Sequence, residues 1–193
     1  LSKVLHTTKL QHLGLGCNRI ADEGARHIGN ALENVDCPLT LLELASCGIS
    51  STGTKFISNG LKKNKSLISF NFGFLKSTND LGEIPNIIGS VGAIYIAEML
   101  EINKTLRSLD LVHTGIQQAG IFALADVLAS KNNTLIYFNI EQFGIPHNEL
   151  SREIIRKSIQ KNKESLDEIA LKTINDVVFP HHLEEIKSVY RIQ

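Results

Sequence analysis

The chain has 193 residues, 42% of them hydrophobic and 21% charged. Lys and Arg together number 20, matching 20 Asp and Glu, so the net charge is zero. That length fits one domain, and the neutral balance lacks the basic excess of a nucleic-acid binder. No run of 18 apolar residues occurs, so no membrane-crossing helix is expected.

Residues 1–9, LSKVLHTTK, read as the end of a helix from an earlier unit, and the chain is expected to be part of a longer one. From Leu10 onward one phrase repeats. It stands at Leu10-Leu13-Leu15-Asn18-Ile20, at Leu39-Leu42-Leu44-Cys47-Ile49 and at Leu106-Leu109-Leu111-Thr114-Ile116, with a looser copy at Leu135-Phe138-Ile140-Phe143-Ile145. Numbered from the first leucine, units begin at residues 10, 39, 67, 106 and 135, with a partial sixth at 166. The successive steps are 29, 28, 39, 29 and 31 residues. A fixed period of this size means a solenoid, because each unit must bury its apolar side on the next.

Within a unit, positions 1, 4 and 6 alternate as a short strand with its apolar side inward. A helix follows. Gly24, Gly53, Gly92 and Gly120 each lie four residues after the unit's isoleucine. Four residues later come Ile28, Ile57, Ile96 and Leu124, and four after those Leu32, Leu61, Leu100 and Leu128. Spacing of four keeps these side chains on one helical face. The expected fold is an α/β horseshoe of five to six repeats in a single domain, with a parallel sheet inside and helices outside.

The pattern resembles the ribonuclease-inhibitor-like class of leucine-rich repeats over about Leu10 to Leu171. Position 9 in that class is usually Asn or Cys, which satisfies backbone groups at the turn. Asn18, Cys47 and Thr114 fit; Leu75, Phe143 and Ile174 do not, so the polar ladder is expected to break in the second half. The third unit is 11 residues longer than the second, and residues 76–86, KSTNDLGEIPN, read as an inserted loop, functional or simply tolerated. Residues 172–193 read as a cap over the last repeat, or as an amphipathic helix for a partner.

In a horseshoe, positions 3, 5, 7 and 8 face the concave side. Over five units these twenty positions hold three acids and no Lys or Arg. Position 5 gives Glu43, Asn71, Asp110 and Asn139, flanked by Phe74, Val112, His113, Tyr137, Glu141 and Gln142. Acids on a curved face offer acceptors to Lys and Arg, and aromatics among polar groups are common interface anchors. Lys62, Lys63, Lys65, Arg152, Arg156, Lys157, Lys161 and Lys163 are assigned to the outer helices or their ends.

Catalytic patterns are missing. Asp110 and His113 have no Ser or Cys nucleophile placed beside them, and the His181-His182 pair lacks further ligands at metal spacing. Neither a cofactor nor a metal is expected, and the chain is read as a non-enzyme. The resemblance implies a module that binds a protein partner on its concave face, an enzyme among the candidates, inhibited by occlusion. The partner would carry a basic surface; no nucleic acid, membrane or small-molecule substrate is expected. The alternative is the repeat region of a sensor or secreted bacterial effector whose activity lies upstream. Three cysteines, Cys17, Cys37 and Cys47, without a disulfide framework point to the cytoplasm, or the host cytosol for an effector.

Overall fold

A computed structural model describes residues 9–74, 84–141 and 149–179. Five strands alternate with helices: β1 His12–Gly14, α1 Ala21–Leu32, β2 Leu41–Glu43, α2 Ser51–Lys63, β3 Ser69–Asn71, α3 Gly89–Ile102, β4 Ser108–Asp110, α4 Gln118–Ser130, β5 Tyr137–Asn139 and α5 Glu149–Glu164. A final helix, α6, spans Glu168–Val178. The strands form one parallel sheet in sequence order, β1 to β5. Each helix packs beside the helix of the neighbouring repeat, α1 on α2 through to α4 on α5.

The leucine phrase accounts for the core. Positions 1, 4, 6 and 11 of the second repeat (Leu39, Leu42, Leu44, Ile49) and of the fourth (Leu106, Leu109, Leu111, Ile116) are at most 1% exposed. In the third repeat Phe70 and Phe72 fill positions 4 and 6 and stack at 5.1 Å. The helical leucines and isoleucines at spacing four are buried against this row. Burying each such side chain contributes roughly 1.5–3 kcal/mol, which is why three-residue strands persist.

Glycine sets the helix spacing at two places. A Cβ on Gly60 would lie 2.3 Å from the Gly29 carbonyl oxygen, and one on Gly29 would lie 2.4 Å from that of Phe56. Helices α1 and α2 therefore touch backbone to backbone. Farther down the array the helices are bridged at their solvent side by Lys62–Glu98 at 3.1 Å and Lys131–Glu101 at 2.9 Å, while Lys63–Glu33 at 3.1 Å joins α2 to the end of α1. These exposed pairs are screened by water and salt and add little stability.

Two polar ladders run through the core. At the strand-to-helix turn, Asn86, not Leu75, fills position 9 of the third repeat. Its side-chain amide donates to the Leu44 and Phe72 carbonyls at 2.7 and 2.8 Å, and its oxygen accepts from Cys47 and Ile49 N–H at 3.1 and 3.0 Å. Asn86-Ile87-Ile88 thus matches Cys47-Gly48-Ile49. The extra residues enter before position 9, and Asn86, 1% exposed, belongs to the core rather than to the loop expected over 76–86. Residues 75–83 lie outside the described residues, as does Phe143 of the fifth repeat.

The second ladder stands at the helix-to-strand turn and follows the phrase Asn-x-x-Leu. Asn64, Asn103 and Asn132 are at most 3% exposed. Asn103 is representative: it donates to Leu61 O at 2.6 Å and Asn64 O at 3.3 Å, and accepts from Thr105 and Leu106 N–H at 2.8 Å each. Asn162 continues the row, donating to Asn132 O and Leu135 O. A buried amide that makes its full set of bonds is stable, and one that lost them would be costly.

The partial sixth repeat does not form a strand. Where Leu166 and Leu171 were to begin one, Asp167 accepts from Ala170 N–H at 2.7 Å and caps helix α6. An N-cap aspartate followed by a glutamate in the first turn outweighs a short leucine alternation.

Candidate functional site

The parallel register brings the position 5 side chains into one row: Gly14, Glu43, Asn71, Asp110 and Asn139 are consecutive Cα partners. Position 3 forms a second row of His12, Leu41, Ser69, Ser108 and Tyr137. Adjacent members of a row are about 4.8 Å apart, the spacing of neighbouring strands. The structure therefore assembles Glu43, Asn71, Asp110, Asn139 and Tyr137 on one sheet face, with Phe74, Val112, His113 and Glu141 just beyond the strand ends.

The acids in that row are not equivalent. Asp110 is half-buried and accepts from Val112 N–H at 2.8 Å and from the Asn139 amide at 3.2 Å. Burial pushes its carboxyl above the usual value, opposed by those two bonds and by the nearby His113. Asn71 and Asn139 repeat the same local bond, accepting from Gly73 and Glu141 N–H. Position 5 thus ties down the turn that follows β3, β4 and β5. Glu43 is half-buried, its carboxylate lying over the floor left by Gly14, and Glu141 is exposed. The sequence treats all three acids as solvent-facing; that holds for Glu141, while Asp110 is a strut of the sheet.

The apolar side of the site also divides. Phe74 and His113 meet edge-on at 6.4 Å, both half-exposed, and Val112 leans over Gly73, where a Cβ would come within 2.7 Å of it. Tyr137 is partly taken by the chain itself. Its hydroxyl donates to Asn175 Oδ1 at 2.6 Å, Phe179 packs edge-on at 5.3 Å, and Lys163 lies 5.0 Å from the ring centre. Gln142 lies outside the described residues. Several positions expected on the open face are buried instead: Leu41 5%, Ala45 1%, Ser46 1% and Ser69 8% exposed. All four lie in the second and third repeats, so that part of the face offers fewer accessible side chains.

One feature of the outer layer escapes a reading based on repeat positions. Ile87, Val91 and Ile94 of the third repeat and Phe122 of α4 are 42–63% exposed. The α3 sequence GSVGAIYIAEMLEI has almost no charge in its first three turns, which was the available signal. Cys47 is chemically quiet: burial pushes its thiol up to about 11, and it donates to Leu15 O at 3.1 Å as a ladder member. Among the described residues no group of three His, Cys, Asp or Glu is placed to hold a metal, and no helix is long and apolar enough to cross a membrane.

A leucine-rich-repeat family model matches residues 6–29 and 103–125, the strand-to-helix parts of the first and fourth units. Together with five such units in parallel register, this settles the fold. This chain is a leucine-rich-repeat solenoid. The repeats are similar to those of mouse "NACHT, LRR and PYD domains-containing protein 14", with 24% identity over 92% of this chain and 20% of that protein. They are also similar to mouse ribonuclease inhibitor, with 25% identity over 70% of this chain and 34% of that protein. The chain thus spans about a fifth to a third of these relatives. Among solved structures the leiomodin-1 actin-binding site 2 domain superposes with a TM-score of 0.68 at 20% identity, covering 84% of this chain and 86% of that one. That likeness speaks to the fold. Leucine-rich-repeat domains typically mediate protein–protein interaction.

Proposed function

We propose that the solenoid is a non-enzymatic module that binds a protein partner with a basic surface on its concave face, across repeats two to five. The carrying observation is the position 5 row held in register on a face whose expected positions include no Lys or Arg. Glu43 and Glu141 would receive the partner's cations, and Phe74, Val112 and His113 would supply the apolar contact beside them. Asn71, Asn139 and Gln142 would add polar contacts. Asp110 serves this site from within, by holding Val112 and Asn139 in place. Tyr137 contributes its exposed edge only. If the partner is an enzyme, such a complex would inhibit it by covering its active site, without chemistry from this chain. A reducing cytoplasm is the setting in which the buried thiol Cys47 keeps its ladder bond.

A second reading has its own support. This chain matches about a fifth of its mouse NACHT relative, and on that reading the solenoid would be part of the recognition region of a sensor whose activity lies in another domain. The effector alternative has no comparable observation behind it.

The test is an affinity capture with the parent chain and with the Glu43→Lys/Glu141→Lys double variant, read by mass spectrometry. Asp110 is left intact so that the sheet is not disturbed. A partner lost only with the variant is expected. A partner held equally by both chains would rule out the concave acids as its contact.

A further inference from the structure

Asparagine followed two residues on by serine or threonine is the acceptor sequence for N-linked oligosaccharide, and such a sequence ordinarily marks a surface loop. The chain contains it three times, at Asn64-Lys65-Ser66, Asn103-Lys104-Thr105 and Asn132-Asn133-Thr134. All three are rungs of the helix-to-strand ladder, and their asparagines are 1%, 0% and 3% exposed. No other asparagine of the chain carries the sequence. The fourth rung lacks it too, since Asn162 is followed by Lys163 and Glu164.

The nitrogen that would receive the sugar is the one that holds the ladder. Asn64 Nδ2 donates to Leu32 O at 3.0 Å and to Ser66 Oγ at 3.3 Å. Asn103 Nδ2 donates to Leu61 O and Asn64 O, and Asn132 Nδ2 donates to Leu100 O at 2.8 Å and to Asn103 O at 3.5 Å. In the transfer, Nδ2 bonds to the anomeric carbon of a lipid-linked oligosaccharide. The bond from that carbon to the lipid pyrophosphate breaks, the pyrophosphate leaves, and the amide loses one proton. A single N–H then remains for two acceptors. The sugar itself, fixed to a nitrogen at that depth, would force its hydroxyls into the core without partners.

The turn closes too late to shield its own acceptor. Asn64 Oδ1 accepts from Ser66 and Leu67 N–H at 3.0 and 2.7 Å, at the entrance to β3. Until β3 has been made and has paired with β2, Asn64 lies in an open chain.

We propose that Asn64, Asn103 and Asn132 are latent N-glycosylation sites, and that oligosaccharide transfer to them blocks closure of the solenoid. The fold is thereby confined to compartments where asparagine is not glycosylated. The constraint comes from the ladder amides, not from the thiols. It uses none of the concave-face residues, so the two readings fail separately.

The experiment translates the chain behind a cleavable signal peptide with glycosylation-competent microsomes, and compares it with the chain translated without them. Glycans are read as a mobility shift that a glycosidase removes. Folding is read as protease resistance after detergent opens the membranes. The expected result is a glycosylated imported chain that is digested about tenfold faster or more. An excess of acceptor tripeptide, which takes the oligosaccharide in place of the chain, should restore resistance. So should the triple variant Ser66→Ala/Thr105→Ala/Thr134→Ala, which keeps every ladder asparagine. A glycosylated chain as resistant as the one made without microsomes overturns the proposal, as does an imported chain that stays unmodified. A loss of resistance that neither the tripeptide nor the triple variant reverses overturns it as well.

Discussion

Replacing Asn103 by leucine keeps nearly the same volume and removes every polar atom of one ladder rung. Four groups lose their partner: Leu61 O and Asn64 O, which the amide donates to, and the Thr105 and Leu106 N–H groups. A buried group left unpaired costs about 1–3 kcal/mol. Thr105 is half-buried and can recruit water, and the bond to Asn64 O is the longest at 3.3 Å, so two of the four losses are mild. The expected cost is about 3–5 kcal/mol, a large part of the roughly 5–15 kcal/mol that holds a domain together. With a urea slope of about 2 kcal/mol/M, the midpoint should fall by about 2 M. Circular dichroism at 222 nm during urea titration measures it. Asn103→Asp sharpens the test. The carboxylate still accepts from Thr105 and Leu106 but faces two carbonyl oxygens with no proton to give, so its folded-state pKa must rise. Its stability deficit at pH 7 should shrink as pH falls toward 4, when the protonated acid can donate to one carbonyl. If both variants unfold within about 0.5 kcal/mol of the parent at pH 7, the ladder is not what holds these turns, and the account given for it fails.

Gly60→Ala forces a Cβ to within 2.3 Å of the Gly29 carbonyl oxygen and should destabilise by about 2–3 kcal/mol, whereas Gly89→Ala, at φ +60° with nothing within 4 Å, should cost only about 1 kcal/mol from backbone strain; thermal unfolding of the pair separates contact from conformation. Asp110→Asn tests the strut. Because burial raises the Asp110 carboxyl, its contribution is most favourable below the unfolded-state value and is lost as pH rises through the folded one. Asparagine keeps the Val112 bond but sets an NH2 group against the Asn139 amide, so the test is the pH trend: the stability of the variant relative to the parent should rise between pH 3 and pH 7. A relative stability that stayed flat or grew on acidification would contradict the burial described for this carboxyl. Lys131→Ala breaks only the exposed pair with Glu101 and should leave the unfolding midpoint unchanged within error.

The repeat phrase made the strand register and the inward face of the helices legible, since Leu42, Leu109, Ile57 and Leu100 lie where a period of 28 or 29 puts them. It misled where chemistry at a single turn competes with the count. Counting nine residues from Leu67 reaches Leu75, whereas the turn selects the residue that can bond Leu44 and Cys47 across repeats, which is Asn86. Counting from Leu166 predicts a strand, but Asp167 caps a helix there. The Asn-x-x-Leu ladder is written in the sequence at residues 64, 103 and 132, but asparagine alone signals a loop as readily as a buried rung. For the candidate site, the row of side chains followed from the register. The split between the free Glu141 and the tethered Asp110 did not, because it depends on which backbone N–H groups each carboxylate reaches.

The direction of the asparagine bonds has a consequence for how the chain comes into being. Asn64 reaches back to Leu32, Asn103 to Leu61, Asn132 to Leu100, and Asn162 to Leu135. In each pair the anchoring carbonyl is translated about 27 to 42 residues before the asparagine that fastens onto it. Each asparagine turn thus fastens onto a carbonyl that has already left the ribosome, while the earlier turn is completed only when the next repeat arrives, as the Cys47 and Ile49 N–H groups are by Asn86. Each new repeat closes on a surface already made, and assembly can advance one unit at a time at the pace of synthesis.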